Sequence, residues 1–205
     1  KFYAAVSWIN SYYPKGKSFE QWLKSNGNDA DVIRDCAAER GSRVHSACEQ
    51  LIRTGSVRYD DGFLTGDQQP DSKPKDLSAE EFEAVNAFGE WLEDAKPEIL
   101  QTESTLYSDE YGIAGTCDLV AKINDEVWVI DFKTSQAVYT THIMQISCYK
   151  DMLKTLYPDA KLGILQLGVK KNKNKKWKFT EVENKFKLFL SCPMEAWKEE
   201  VSNNQ

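Results

Sequence analysis

Apolar residues recur along this chain first at helical and then at strand spacing, with the changeover near Pro97. Phe19, Trp22 and Leu23 follow a break at Pro14 and Gly16, and Gly27 offers a stop, so a short helix is predicted there. From Asp31 to Ile52, the residues Val44, Ala47, Cys48, Leu51 and Ile52 share one stripe, the pattern of a half-buried helix, and His45 and Glu49 sit four apart beside it. Residues 54–78 are crowded with Gly, Pro, Asp and Ser and read as a connection, either a lid or a disordered segment, ahead of a helix around Ala79 to Ala95. After Pro97 the period shortens to two. Strands are predicted over 99–108, 112–123 and 126–134, with Asn124-Asp125-Glu126 as the turn between the last two, which makes a β-meander. A helix follows over 141–157, with Ile146, Tyr149, Leu153 and Leu156 on one face. Strands over 161–169 and 178–183 then frame a lysine-rich turn, and the stretch from Phe186 to Val201 is read as helical with an interruption at Pro193.

This order predicts an α/β fold with a mixed central β-sheet flanked by helices. A length of 205 residues suits one domain. In that reading 1–95 form a mainly helical N-terminal part, 97–182 the sheet and its helix, and 183–205 a helical tail. No apolar run approaches the roughly 20 residues of a membrane helix, and neither a signal nor a transit sequence is visible, so a soluble protein is expected. The five cysteines are odd in number, scattered and never spaced C-x-x-C, which argues against a disulfide framework or a metal–sulfur cluster and for a reducing interior. A formal net charge of −6 disfavours a protein that coats nucleic acid through bulk charge, but is compatible with an enzyme whose carboxylates hold a cation.

The stretch 115–135 carries the chemistry. Asp118 lies in one predicted strand, and Asp131 and Lys133, two apart in the next, project from the same face. Pairing those strands brings all three together. Two carboxylates and the backbone carbonyl of Phe132 suit Mg²⁺ or Mn²⁺, as one ion or two, against a phosphodiester. Lys133 then orients the attacking water or neutralises charge, or serves as a base provided burial depresses its pKa.

Four motifs in order carry a resemblance: "RGSRVHSACE", "TESTLYSDEYGIAGTCDLV", "VIDFKTS" and "QISCY". From about Val6 to Val182 the chain resembles the RecB-like branch of the PD-(D/E)xK nuclease superfamily. The resemblance implies a restriction-endonuclease-like core. It also implies His45 as a metal ligand, Asp118 as the first metal-binding carboxylate, Glu103 as an upstream acid near the metal, and Gln145 and Tyr149 as DNA-contacting or site-bracing residues. The iron–sulfur cysteines and helicase motor of some relatives are missing, so a stand-alone exonuclease of the phage or mitochondrial-maintenance type is the nearer analogue. Such relatives imply action on DNA ends or single strands in recombination, replication or repair, in the cytoplasm and, for a phage-encoded enzyme, in the host cell.

Blander readings stand beside these. His45 alone is more often structural, Asp118 can cap a turn, and Asp131 with Lys133 can be a plain ion pair, although polar residues ending the apolar strand Val127 to Ile130 are costly unless they pair or bind something. Gln145 and Tyr149 can be a surface amide and a core-edge tyrosine. Thr134 and Ser135 can bind phosphate or end the strand. Lys170, Lys171, Lys173, Lys175, Lys176 and Lys178, with Trp177 among them, can be a solvated hairpin tip or a patch that steers single-stranded nucleic acid. A non-catalytic nucleic-acid-binding module on the same fold and a phosphohydrolase acting on nucleotides are the rival functions; a glycosidase would leave Lys133 without a role.

Overall fold

The computed structural model describes residues 2–64, 73–170 and 175–192. The elements are β1 (Ala4–Ala5), α1 (Val6–Ser11), α2 (Lys17–Asn26), a 3₁₀ turn (Gly27–Asp29), α3 (Ala30–Thr54) and α4 (Ala79–Ala95). They continue with β2 (Glu98–Ser108), β3 (Ile113–Ile123), β4 (Glu126–Lys133), α5 (Thr140–Leu153), β5 (Lys161–Leu167), β6 (Trp177–Glu181) and α6 (Phe186–Leu190). The six strands form one sheet in the order β1-β3-β4-β5-β6, with β2 on the remaining edge of β3. β2, β3 and β4 run antiparallel, as the meander predicts, and Asn124 and Asp125 both take positive φ in the tight turn, the geometry that matches strand twist. The β4–β5 pair is parallel and is bridged by α5, because parallel neighbours need a crossover. The sheet is therefore mixed and the class α/β, as expected.

Helices cover both faces. Val6, Ile9, Met144, Ile146 and Phe189, from α1, α5 and α6, pack on Val120, Val129, Leu162 and Ile164. Val44, Cys48, Phe88 and Trp91, from α3 and α4, pack on Leu119, Ile130, Phe132 and Leu165. α4 begins with a capping box: Ser78 Oγ accepts from the Glu81 N–H at 3.3 Å, and Glu81 Oε2 accepts from the Ser78 N–H at 2.6 Å. The other Glu81 oxygen receives Arg43 Nε and Nη2 at 3.0 and 2.7 Å, which fastens α3 to the start of α4.

Some local expectations change. β1 was not foreseen, since its two residues pair in parallel with Ile113 and Ala114 over a separation that short-range patterning does not report. α5 ends at Leu153, so Leu156 falls beyond the helix and is 66% exposed instead of sharing the buried face. In the 54–78 connection, Phe63 and Lys75 exchange backbone hydrogen bonds of 2.8 and 3.0 Å, and Phe63 and Leu77 are buried, so both stems are pinned to the core. Residues 65–72 and 193–201 lie outside the described residues. Among the described residues no helix is long and apolar enough to cross a membrane. The five cysteines are free thiols, with Cys36 exposed and Cys48, Cys117, Cys148 and Cys192 buried.

Candidate active site

One edge of β3 is filled by β2 from Ile113 to Lys122, whereas the other is shared: β1 takes Ile113 and Ala114, and β4 takes Leu119 to Ile123. Residues 115–118 therefore have no strand beside them on that edge. Extending the Leu119–Ile130 register by one step sets Asp118 opposite Asp131. On the β2 side Glu103 falls opposite Asp118, between the Thr102–Leu119 and Ser104–Cys117 pairs. The three acids therefore stand at neighbouring positions across three strands where the sheet opens. The Asp118 carboxylate stands in for a ladder partner, its Oδ2 accepting the Phe132 N–H at 2.6 Å. Glu103 has a positive φ of 46°, a conformation that non-glycine residues rarely adopt and that here accompanies its place opposite Asp118.

Two helices from opposite layers reach the gap. From α3, His45 places Nδ1 3.2 Å from Asp118 Oδ1 and Nε2 3.0 Å from the Phe132 carbonyl. Both partners are acceptors, so a ring that satisfies both carries two protons. Burial works against that charge, but the Asp118 carboxylate outweighs it and raises the His45 pKa. Burial likewise opposes ionisation of Asp118, and His45 more than compensates, holding its carboxyl below the ordinary value. From α5, Gln145 Oε1 accepts from Lys133 Nζ at 3.4 Å, and Gln145 Nε2 donates to the Tyr149 hydroxyl at 2.9 Å. Tyr149 lies against Gly115, where a Cβ would stand 2.8 Å from Tyr149 Cε1, so only glycine admits the ring at this point.

Asp131 is 1% exposed, and neither of its oxygens has a hydrogen-bond partner. Lys133 Nζ approaches Oδ2 to 2.8 Å, an ion-pair contact that lies off the hydrogen-bonding direction. Burial, reinforced by Asp118 and only partly offset by Lys133, pushes the Asp131 pKa up to about 6. Glu103 is pushed up to about 7 by burial and then by Asp118. Burial lowers Lys133, but Asp131 and Asp118 prevail and raise it, so beside these carboxylates the lysine is held as a cation.

The ligand atoms of His45, Glu103 and Asp118 come within 4.8 Å of one another. Asp131, drawn to Lys133, is not in that group. The profile of the PD-(D/E)XK nuclease superfamily matches residues 22–203. The chain belongs to that superfamily. No curated protein matches the sequence. Membership makes metal-dependent cleavage of nucleic acid the general function, and the gap between β3 and β4 answers to it. Three carboxylates, an imidazole and the Phe132 carbonyl are the donor types a hard divalent cation takes. The Asp131 carboxylate, buried without a hydrogen-bond donor and only partly offset by Lys133, and the raised pKa values of Asp131 and Glu103 mark a surplus of buried negative charge, which a cation relieves.

The remaining predicted residues of this PD-(D/E)XK nuclease are more dispersed. Thr134 lies at the end of β4, where Gly41 of α3 comes close enough that a Cβ there would be 3.9 Å from its hydroxyl. The Ser135 hydroxyl donates to the Ala137 carbonyl at 2.8 Å, so it shapes the turn into α5. In the lysine hairpin, Lys170, Lys175 and Lys176 pair with Glu80, Asp94 and Glu83 of α4 at 3.5, 2.8 and 3.8 Å. Lys175 also lies over the Trp177 ring at 4.6 Å. Lys171 and Lys173 lie outside the described residues. Two clefts, of about 340 Å³ beside Leu51 and Phe82 and about 490 Å³ beside Leu156 and Tyr157, touch none of the acidic site residues. Sequence reasoning missed Gln166, a buried amide donating to the Ser135 carbonyl at 2.9 Å, and His142, one turn before Gln145. The i, i+3 spacing from His142 to Gln145 was the available signal for the second; the first needed the β4–β5 register.

Proposed function

We propose that this PD-(D/E)XK nuclease is a single-domain, RecB-like DNA exonuclease that uses Mg²⁺ or Mn²⁺, acting in a reducing cytoplasm in recombination, replication or repair, with a preference for DNA ends or single strands. The observation that carries the reading is the buried carboxylate of Asp131, ion-paired with Lys133 but with no hydrogen-bond donor, opposite Asp118. One six-stranded sheet to which the flanking helices attach supports the single-domain reading. Asp118, Asp131, His45 and the Phe132 carbonyl hold metal, and Glu103 adds a carboxylate for the same or a second ion.

Bound there, a divalent ion supplies Lewis-acid polarisation of the phosphate and a water acidic enough to attack near neutral pH. Lys133 keeps its proton and sets its ammonium against the attacking water or the charge gathering on the phosphate. Gln145 fixes that ammonium and is itself fixed by Tyr149, whose ring is seated on Gly115. Thr134 and Ser135 flank the phosphate at the end of β4. The hairpin of Lys170, Lys171, Lys173, Lys175, Lys176 and Trp177 steers the strand; its observed ion pairs are exposed, hence weak and exchangeable for phosphate.

The test is digestion of end-labelled single-stranded, double-stranded and circular DNA with Mg²⁺, Mn²⁺ or EDTA, comparing wild type with Asp131→Ala and Lys133→Ala. Loss of linear but not circular DNA, abolished by EDTA and by either substitution in folded protein, supports an exonuclease, and the label position gives its polarity. Binding without cleavage under every metal would sink the catalytic reading in favour of a nucleic-acid-binding module.

A further inference from the structure

The face of α5 that reaches the site does not end at Gln145. Tyr149, Gln145 and His142 recur at helical spacing, and Tyr139, the residue before the helix, continues the same row outward. Exposure grows along it. Tyr149 is 3% exposed, His142 is half-buried, and Tyr139 is 56% exposed. His142 meets Tyr139 edge-on, with ring centroids 5.2 Å apart, and His142 Nδ1 accepts the Tyr139 N–H at 3.4 Å. That acceptance puts the imidazole proton on Nε2, the free donor of the ring. Burial and the neighbouring Lys133 ammonium hold its pKa at about 3, so the ring is neutral at every working pH.

A large exposed aromatic at the helix start, one turn beyond His142 and nearly two beyond Gln145, which touches the catalytic lysine, has no partner in the core to explain it. We propose that Tyr139 is a stacking platform for the nucleobase next to the scissile phosphate, and that His142 positions Tyr139 and offers Nε2–H to a phosphate oxygen. The substrate class is thereby a strand whose base at that position is unstacked, in a single strand or at an end, since a base inside a duplex has both faces covered by its neighbours. This rests on the nuclease reading above and narrows it. A neutral imidazole suits this place better than a charged one, because a second cation beside Lys133 would oppose the lysine's own protonation.

The experiment measures steady-state cleavage of single-stranded oligonucleotides by wild type, Tyr139→Ala, Tyr139→Phe and Tyr139→Trp, each with and without one abasic nucleotide beside the cut. Base–aromatic stacking predicts that Tyr139→Ala raises KM about 5- to 150-fold with kcat little changed, while Phe and Trp keep the wild-type value. An abasic nucleotide should cost the wild type a similar factor and Tyr139→Ala nothing further, because the same contact cannot be lost twice. Melting curves should coincide, as Tyr139 is outside the core. Additive losses, or a Tyr139→Ala enzyme with wild-type KM, would overturn the platform while leaving the nuclease assignment intact. A wild type that cuts no substrate would instead remove the reading on which the platform rests.

Discussion

The charge surplus around Asp118 makes a quantitative claim about metal binding. Glu103 and Asp131, with pKa values of about 7 and about 6, must both be ionised to act as ligands. Both values lie above those of the unfolded chain. Their contribution to stability is therefore full below the ordinary carboxylate range and is lost as pH rises through about 6 and then about 7. Metal restores it. Mn²⁺ or Mg²⁺ should displace about 1.4 protons from the two carboxylates at pH 6 but only about 0.1 at pH 8, with doubly protonated His45 adding to the release. Calorimetric titration in two buffers of different ionisation enthalpy reads that difference directly. At a free metal concentration of about 100 times Kd, linkage gives about 2.7 kcal/mol of stabilisation, a rise in Tm of about 5–11 °C for a chain of this length. Equal proton release at pH 6 and pH 8, or undiminished release from the Glu103→Gln, Asp131→Asn double variant, would refute the reasoning.

Other consequences follow from contacts nearer and farther from the site. In Lys133→Met, the ammonium that competes for Asp131 Oδ2 is gone, so Mn²⁺ should bind as tightly as in wild type or more tightly, while kcat falls at least about 100-fold. In Gly115→Ala, the new Cβ displaces Tyr149 and with it Gln145 and Lys133, and cleavage assays should show kcat lower by about 10- to 100-fold in protein that still folds. Arg43→Ala strands the Glu81 carboxylate, whose side chain is 3% exposed; urea unfolding should show a loss of about 3 kcal/mol, the low end because the Ser78 N–H still holds Glu81. Despite burial, Arg43 and Ser78 depress the Glu81 pKa, so this stabilisation is present above about pH 4.5 and disappears as pH falls through the lowered native value. Wild type and variant should accordingly converge in acid.

Local pattern alone determined the helices α3 and α4, the three-strand meander and the α5 crossover, because each has a strong period or a sharp terminus. Ser78 and Glu81 mark the start of α4, and Asn124-Asp125 mark a turn that tolerates positive φ. The pairing of Asp118 with Asp131 and Lys133 was legible for the same reason: they sit at matched ends of consecutive strands, and consecutive strands joined by a tight turn pair. What the sequence did not contain was the gap. It exists because β1, a two-residue strand from the far N-terminus, and β4 divide one edge of β3 between them and leave 115–118 bare. That division sets the His45 ring between Asp118 and the Phe132 carbonyl, gathers Glu103 into one cluster with Asp118 and His45, and draws Asp131 onto Lys133. The lysine hairpin shows the same limit from the other side. Its charge was plain in the sequence, but only the packing of α4 over β5 and β6 decided that Glu80, Glu83 and Asp94 would stand opposite, because charge partners are chosen by which surfaces the core brings together and not by their distance along the chain.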